Sequence, residues 1–116
     1  MVVYLRNLLL PAVLTAAIAY LLGSINSSIL ITKIFRGKAD IRQMGSGNAG
    51  TTNVLRSVGR LPAALTFLFD FLKCVAAVLA GKAIFSALCQ LPDIPPVIIG
   101  QYGAYIAGIA CMIGHI

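Results

Sequence analysis

The sequence predicts an all-α integral membrane fold, a polytopic bundle with three transmembrane helices forming a single membrane domain over residues 1–116. Three observations lead there. Apolar residues make up 59% of the chain and charged residues only 10%, against roughly 25% charged in an average soluble domain. Three apolar runs are long enough to cross a bilayer. The basic residues gather in one joint between the first two runs.

The first span covers about residues 7–32, a stretch without a charged residue. At about 1.5 Å per residue a helix of this length exceeds the roughly 30 Å hydrocarbon core. Arg6 gives only a weak basic start and the run is longer than the core of a cleavable signal, so the span reads as retained. Its cytoplasmic end carries "GSINSS", with Ser24, Ser27 and Ser28 on one side and Asn26 nearby. Serines so spaced bond back to helical carbonyls or join helices. The second span covers about 61–81, with Pro62 in the tolerated first turn. Within it, "LTFLFDFLKCVAAVLA" places Asp70 and Lys73 three residues apart, on one helical face where they can pair. Each would cost about 2.5 to 3.5 kcal/mol standing alone in the membrane. The third span covers about 97–116, after a short outer joint, about 82–96, whose "CQLPDIPP" discourages helix.

The joint of about 33–60 is a glycine-rich basic loop bearing Lys33, Arg36, Lys38, Arg42, Arg56 and Arg60. The positive-inside rule places it in the cytoplasm and the N-terminus outside. The net charge of +6 is therefore mostly one patch. It reads as topology and contact with anionic head groups, not as a nucleic-acid surface. Cys74, Cys89 and Cys111 are odd in number and scattered, which indicates neither a disulfide framework nor a redox pair. One histidine, no glutamate and the separated Asp40, Asp70 and Asp93 leave no metal-ligand pair at helical spacing, so no metal is expected.

Within the loop, "MGSGNAGTTN" sets Gly45, Gly47 and Gly50 at G-x-G-x-x-G spacing. A dinucleotide fingerprint follows a buried strand and precedes an acid on a soluble helix. Here the polar, basic "FRGKADIRQ" precedes the glycines, and the acid at the right distance, Asp70, lies in a membrane span. No Lys-Ser or Lys-Thr completes a P-loop either. What the residues do support is an oxyanion site beside lipid. Glycines let backbone N–H groups form a concave nest, and the flanking Arg42 and Arg56 supply forks suited to phosphate. An enzyme of phosphorylated lipid precursors and a transporter or channel subunit for a phosphorylated anion both fit these features. The latter favours midplane sites and internal repeats, which are not evident here.

The stretch "GSINSSILITKIFRGKADIRQMGSGNAGTTNVLRSVGR", followed by "LTFLFDFLKC" and more loosely by "GIACMIGHI", closely resembles the bacterial acyl-phosphate-dependent glycerol-3-phosphate acyltransferases, the PlsY family. The resemblance implies transfer of a fatty acyl group from acyl-phosphate to the 1-hydroxyl of glycerol 3-phosphate, giving lysophosphatidic acid and phosphate in phospholipid synthesis. It implies a multi-pass protein of the bacterial cytoplasmic (inner) membrane, with those two substrates and membrane lipid as its partners, no obligate protein partner and no cofactor. It implies Ser46 and Arg56 as the essential pair of the first motif, with His115 opening the next signature region. Gly45, Gly47, Asn48, Asn53 and Arg42 are carried over as substrate-binding positions. Ser46 is expected to hydrogen-bond substrate or the developing oxyanion, since a phosphate leaving group makes an acylated serine unnecessary. The general base stays open between His115 and a phosphate oxygen of the substrate. Where the family commonly has glycine after Asp-x-x-Lys, this chain has Cys74. The family pattern continues beyond Ile116 into a glycine-lysine phosphate loop and further spans, so a C-terminally truncated member, inactive as a fragment, is expected.

Overall fold

A computed structural model describes residues 2–116, and every regular element among them is helical. In chain order these are α1 (Val2–Ser24), α2 (Ser27–Arg36), a short 3-10 turn (Ile41–Gln43), α3 (Thr51–Ser57), α4 (Arg60–Leu88) and α5 (Pro96–His115). Three stretches are long and apolar enough to cross a membrane: Leu5–Arg36, Arg60–Leu88 and Pro96–His115. Their flanks expose large apolar side chains such as Leu9, Leu21, Phe67, Leu79 and Ile109. Such faces are stable only where the solvent is lipid, because the helix already satisfies its own backbone.

The first stretch is not the uninterrupted helix expected from its composition. It breaks at Ile25 and Asn26, which separate α1 from α2. Asn26 is extended, with φ −95° and ψ 101°, and its Oδ1 accepts from the Ile29 N–H at 3.2 Å and the Ser28 hydroxyl at 2.5 Å. An asparagine competes well for helix-start N–H groups, so it nucleates a new helix instead of continuing the old one. At the other end of the second span, α4 runs past Gly81 and Lys82 to Leu88. Gly81 does not break the helix because its missing side chain admits another backbone, as described next.

The chain forms two compact units. The first runs to Ile25 and resumes at Lys73–Ile116, so it holds α1, the second half of α4, and α5. Its centre is made of small residues: Ala19, Ala77, Ala107, Ala110 and Cys111 are buried together. A Cβ on Gly103 would run into the Gly81 carbonyl, one on Gly23 into the Cys111 carbonyl, and one on Gly114 into the Tyr20 carbonyl. Small residues of this kind let membrane helices approach to backbone contact, where dispersion replaces the missing hydrophobic drive. Nearer the turn before α5, Phe85, Cys89, Leu91 and Ile99 form a second cluster. The Cys74 and Cys111 thiols meet at 3.5 Å as a weak hydrogen bond.

The second unit is Asn26–Leu72. Its core is Ile41, Val54 and Ala63, flanked by Ile29, Met44, Ala49 and Val58. Arg36 closes it by donating from Nη2 to the Val58 carbonyl at 3.1 Å. The buried Thr66 hydroxyl donates to the Pro62 carbonyl at 2.9 Å, inside the first turns of α4.

Candidate functional site

The loop joining α2 to α3 carries most of the residues singled out by sequence. It begins at Asp40, whose Oδ1 caps the 3-10 turn by accepting from the Arg42 N–H at 3.0 Å. The Arg42 side chain folds back on the same carboxylate, with Nε at 3.1 and 3.2 Å from its two oxygens and Nη2 at 2.7 Å from Oδ2. The Arg42 hydrogen bonds hold the Asp40 carboxyl down at about 2, below its ordinary 3.8, and the carboxylate in turn raises Arg42. Arg42 was carried over as a substrate-binding position, and part of its fork is already engaged by Asp40.

After the 3-10 turn the chain reverses through Met44 and Gly47, whose N–H donates to the Met44 carbonyl at 2.8 Å. Gly45 and Gly47 have φ of +50° and +77°, a left-handed backbone that side chains disfavour. Gly45 is doubly required, since a Cβ there would collide with Asn53 Oδ1 and lie 2.6 Å from Ser57 Oγ. The glycine spacing that imitates a nucleotide fingerprint thus serves a tight turn wrapped over one asparagine.

That asparagine, Asn53, is buried at 3% exposure. Its Nδ2 donates toward the carbonyls of Met44 and Asn48, each at 2.9 Å, and of Ile41 at 3.3 Å. Its Oδ1 accepts from the Ser46 N–H at 3.3 Å and the Ser57 hydroxyl at 3.1 Å. The family resemblance carries Asn53 over as a substrate-binding position, and in the structure its amide is committed to the loop. It does the work of a missing secondary-structure ladder, pairing backbone groups that a half-buried irregular loop otherwise leaves without partners.

Ser46, Asn48 and, in the last turn of α3, Arg56 are all exposed. Ser46 Oγ accepts from the Asn48 N–H at 3.3 Å, which leaves its hydroxyl hydrogen to donate elsewhere. Among the described residues the Arg56 guanidinium makes no hydrogen bond. The second unit therefore brings together Gly45, Ser46, Gly47, Asn48, Asn53, Arg42 and Arg56. A hydroxyl donor, glycine backbone and a guanidinium fork are groups of the kinds that bind oxyanions.

His115, the remaining candidate, belongs to the first unit, at the end of α5. Its Nδ1 lies 2.9 Å from Lys73 Nζ. Sequence reasoning paired Lys73 with Asp70 by helical spacing and missed this contact, which spans 42 positions of chain and leaves no local signal. Lys73 also reaches the carbonyls of Gly23 at 2.9 Å and Ile25 at 2.7 Å.

A glycerol-3-phosphate acyltransferase family profile matches residues 13–116. A glycerol-3-phosphate acyltransferase of Thermoanaerobacter pseudethanolicus is 51% identical over 104 residues, covering 90% of this chain and 45% of that protein. The protein of the same name from Francisella tularensis subsp. novicida is 46% identical over 105 residues, 83% of this chain and 50% of its own length. That from Clostridioides difficile is 45% identical over 103 residues, 89% of this chain and 46% of its own. The chain spans about half the length of these curated relatives. No solved structure matches it.

Proposed function

Because the chain belongs to the glycerol-3-phosphate acyltransferase family, we propose that the whole protein acylates the 1-hydroxyl of glycerol 3-phosphate, with acyl-phosphate as donor. The hydroxyl oxygen attacks the acyl carbonyl carbon, a tetrahedral centre forms, and the bond to phosphate breaks. Lysophosphatidic acid and inorganic phosphate leave, the phosphate carrying the electron pair of the broken bond and a substrate phosphate oxygen taking the hydroxyl proton. The donor is already activated, so the protein's task is to hold two anions, align the hydroxyl and stabilise developing charge.

The observation that carries this reading is the division of labour in the loop. Asn53 and Asp40 absorb the backbone and part of Arg42, while Ser46 and Arg56 stay exposed. Arg56 then grips a phosphate through its fork, and the Ser46 hydroxyl donates to a phosphate oxygen or to the oxyanion of the tetrahedral centre. Arg42 adds charge in the Asp40-bound orientation, and Gly45, Gly47 and Asn48 shape the cradle. His115 enters on the sequence resemblance, as a group that meets substrate in the whole protein. The protein sits in the bacterial cytoplasmic membrane, its basic loop on the cytoplasmic side and its N-terminus outside, as the positive-inside rule directs.

The test is release of inorganic phosphate from palmitoyl-phosphate by the whole protein in lipid. Release should depend on added glycerol 3-phosphate, and Ser46→Ala should lower turnover by roughly a hundredfold, the scale of losing one transition-state donor. Phosphate release indifferent to glycerol 3-phosphate, or near-normal turnover in Ser46→Ala, contradicts the assignment.

A further inference from the structure

The end of α1 exposes the usual problem of a helix terminus, carbonyls with no N–H in the next turn to meet them. Here four carbonyls in this stretch have particular partners. The Leu21 carbonyl accepts from the Ser24 hydroxyl at 2.7 Å and the Leu22 carbonyl from the Ile25 N–H at 3.3 Å. The Gly23 and Ile25 carbonyls accept from Lys73. A cation at a helix C-terminus is also favoured by the helix dipole. Lys73 is buried at 8% exposure, and this carbonyl pair holds its ammonium in a fixed place.

His115 Nδ1 also lies within reach of that ammonium, at 2.9 Å. An ammonium has hydrogens to give and no lone pair to receive one. Nδ1 must therefore be the unprotonated, accepting nitrogen, and in the neutral ring the proton resides on Nε2. His115 is exposed, and among the described residues its Nε2 makes no hydrogen bond. We infer that Lys73 is a positioning residue, anchored by the Gly23 and Ile25 carbonyls, that fixes His115 in the Nε2–H tautomer. The imidazole thus meets an anionic substrate as a hydrogen-bond donor and not as the acceptor of the glycerol proton. The donor role rests on the acyltransferase reading above; the tautomer does not.

The two are separated by using two readouts on the whole protein in lipid nanodiscs. The first is nitrogen NMR of the 15N-labelled imidazole, assigned by the resonance lost in His115→Gln. Nε2 should be protonated and Nδ1 bare, and the Nδ1 resonance should move in Lys73→Met. A proton on Nδ1 in the unsubstituted protein, which needs no variant to fold, overturns the inference. So does an Nδ1 resonance that Lys73→Met leaves in place. The second readout is turnover with palmitoyl-phosphate and glycerol 3-phosphate. Glutamine keeps an N–H donor and cannot serve as a base at neutral pH. His115→Gln should therefore retain roughly tenfold more turnover than His115→Leu, the scale of one hydrogen bond to a charged group. Equal loss in both variants overturns the donor role. Absence of glycerol-3-phosphate-dependent turnover in the unsubstituted protein instead contradicts the acyltransferase reading and leaves the NMR result standing.

Discussion

The two units meet the same requirement, that no backbone polar group be left alone away from water, by opposite means. In the first unit, helices satisfy their own backbones and pack through the absence of side chains, at Gly23, Gly81, Gly103 and Gly114. In the second, a short irregular loop is held by the presence of one side chain, the Asn53 amide. Helix-on-helix contact through glycine makes a scaffold whose polar chemistry gathers at one helix end, where Lys73 meets His115. A loop pinned from inside turns its other polar groups outward, so the second unit can carry an anion site while staying ordered.

The largest effect that breaks this comparison is expected at Asn53. Asn53→Leu removes every partner just named at once and leaves half-buried carbonyls unpaired, each at about 1–3 kcal/mol. The second unit should lose its loop structure, read as collapse of amide-exchange protection at Ser46 and Gly47, while the helices of the first unit keep theirs. Uniform loss in both units would mean that they are not held by separate devices.

Next come the glycines of the first unit, which supply their own control. Gly103→Ala drives a Cβ into the Gly81 carbonyl, whereas a Cβ on Gly108, also in α5, meets nothing within 4 Å. Gly103→Ala should destabilise by about 1–3 kcal/mol, the usual scale of overpacking. Gly108→Ala should be neutral or stabilising by up to about 1 kcal/mol through helix propensity. Thermal unfolding in detergent reads both, and equal shifts would remove the argument from close approach.

The smallest effect sharpens the picture of the loop's rim. The Asp40 carboxyl lies at about 2 in the fold against its ordinary 3.8, so the folded loop favours its ionised form. Its contribution is therefore present above pH 3.8 and is lost as pH falls through about 2. Protection of the Arg42 amide, which donates to Asp40, should hold above that window and decline within it, and Asp40→Ala should remove the dependence. The pair is solvent-exposed, so the effect on overall stability should be slight.

Much of the helical architecture is legible in the sequence because uncharged length is a property of composition, read without knowing any contact. The break at Asn26 is legible in principle, since "INSS" is a helix-start signal, but the apolar run around it masks the cap. The loop is legible as a place for anions and not as a structure. Asn48 and Asn53 look alike as letters, and only burial separates the exposed one from the one that ties the turn. Asp40 reads as a stray acid although its partner is two residues away. The Lys73 and His115 contact has no local signal, because it is made by tertiary packing.

If Arg56 is reserved for phosphate while Asp40 engages Arg42, the two arginines should differ when Arg56→Ala and Arg42→Ala are compared in the whole protein by glycerol-3-phosphate-dependent phosphate release from palmitoyl-phosphate. Turnover should fall roughly a hundredfold or more in Arg56→Ala and about tenfold or less in Arg42→Ala. Near-normal turnover in Arg56→Ala, or a larger loss in Arg42→Ala, would contradict that division.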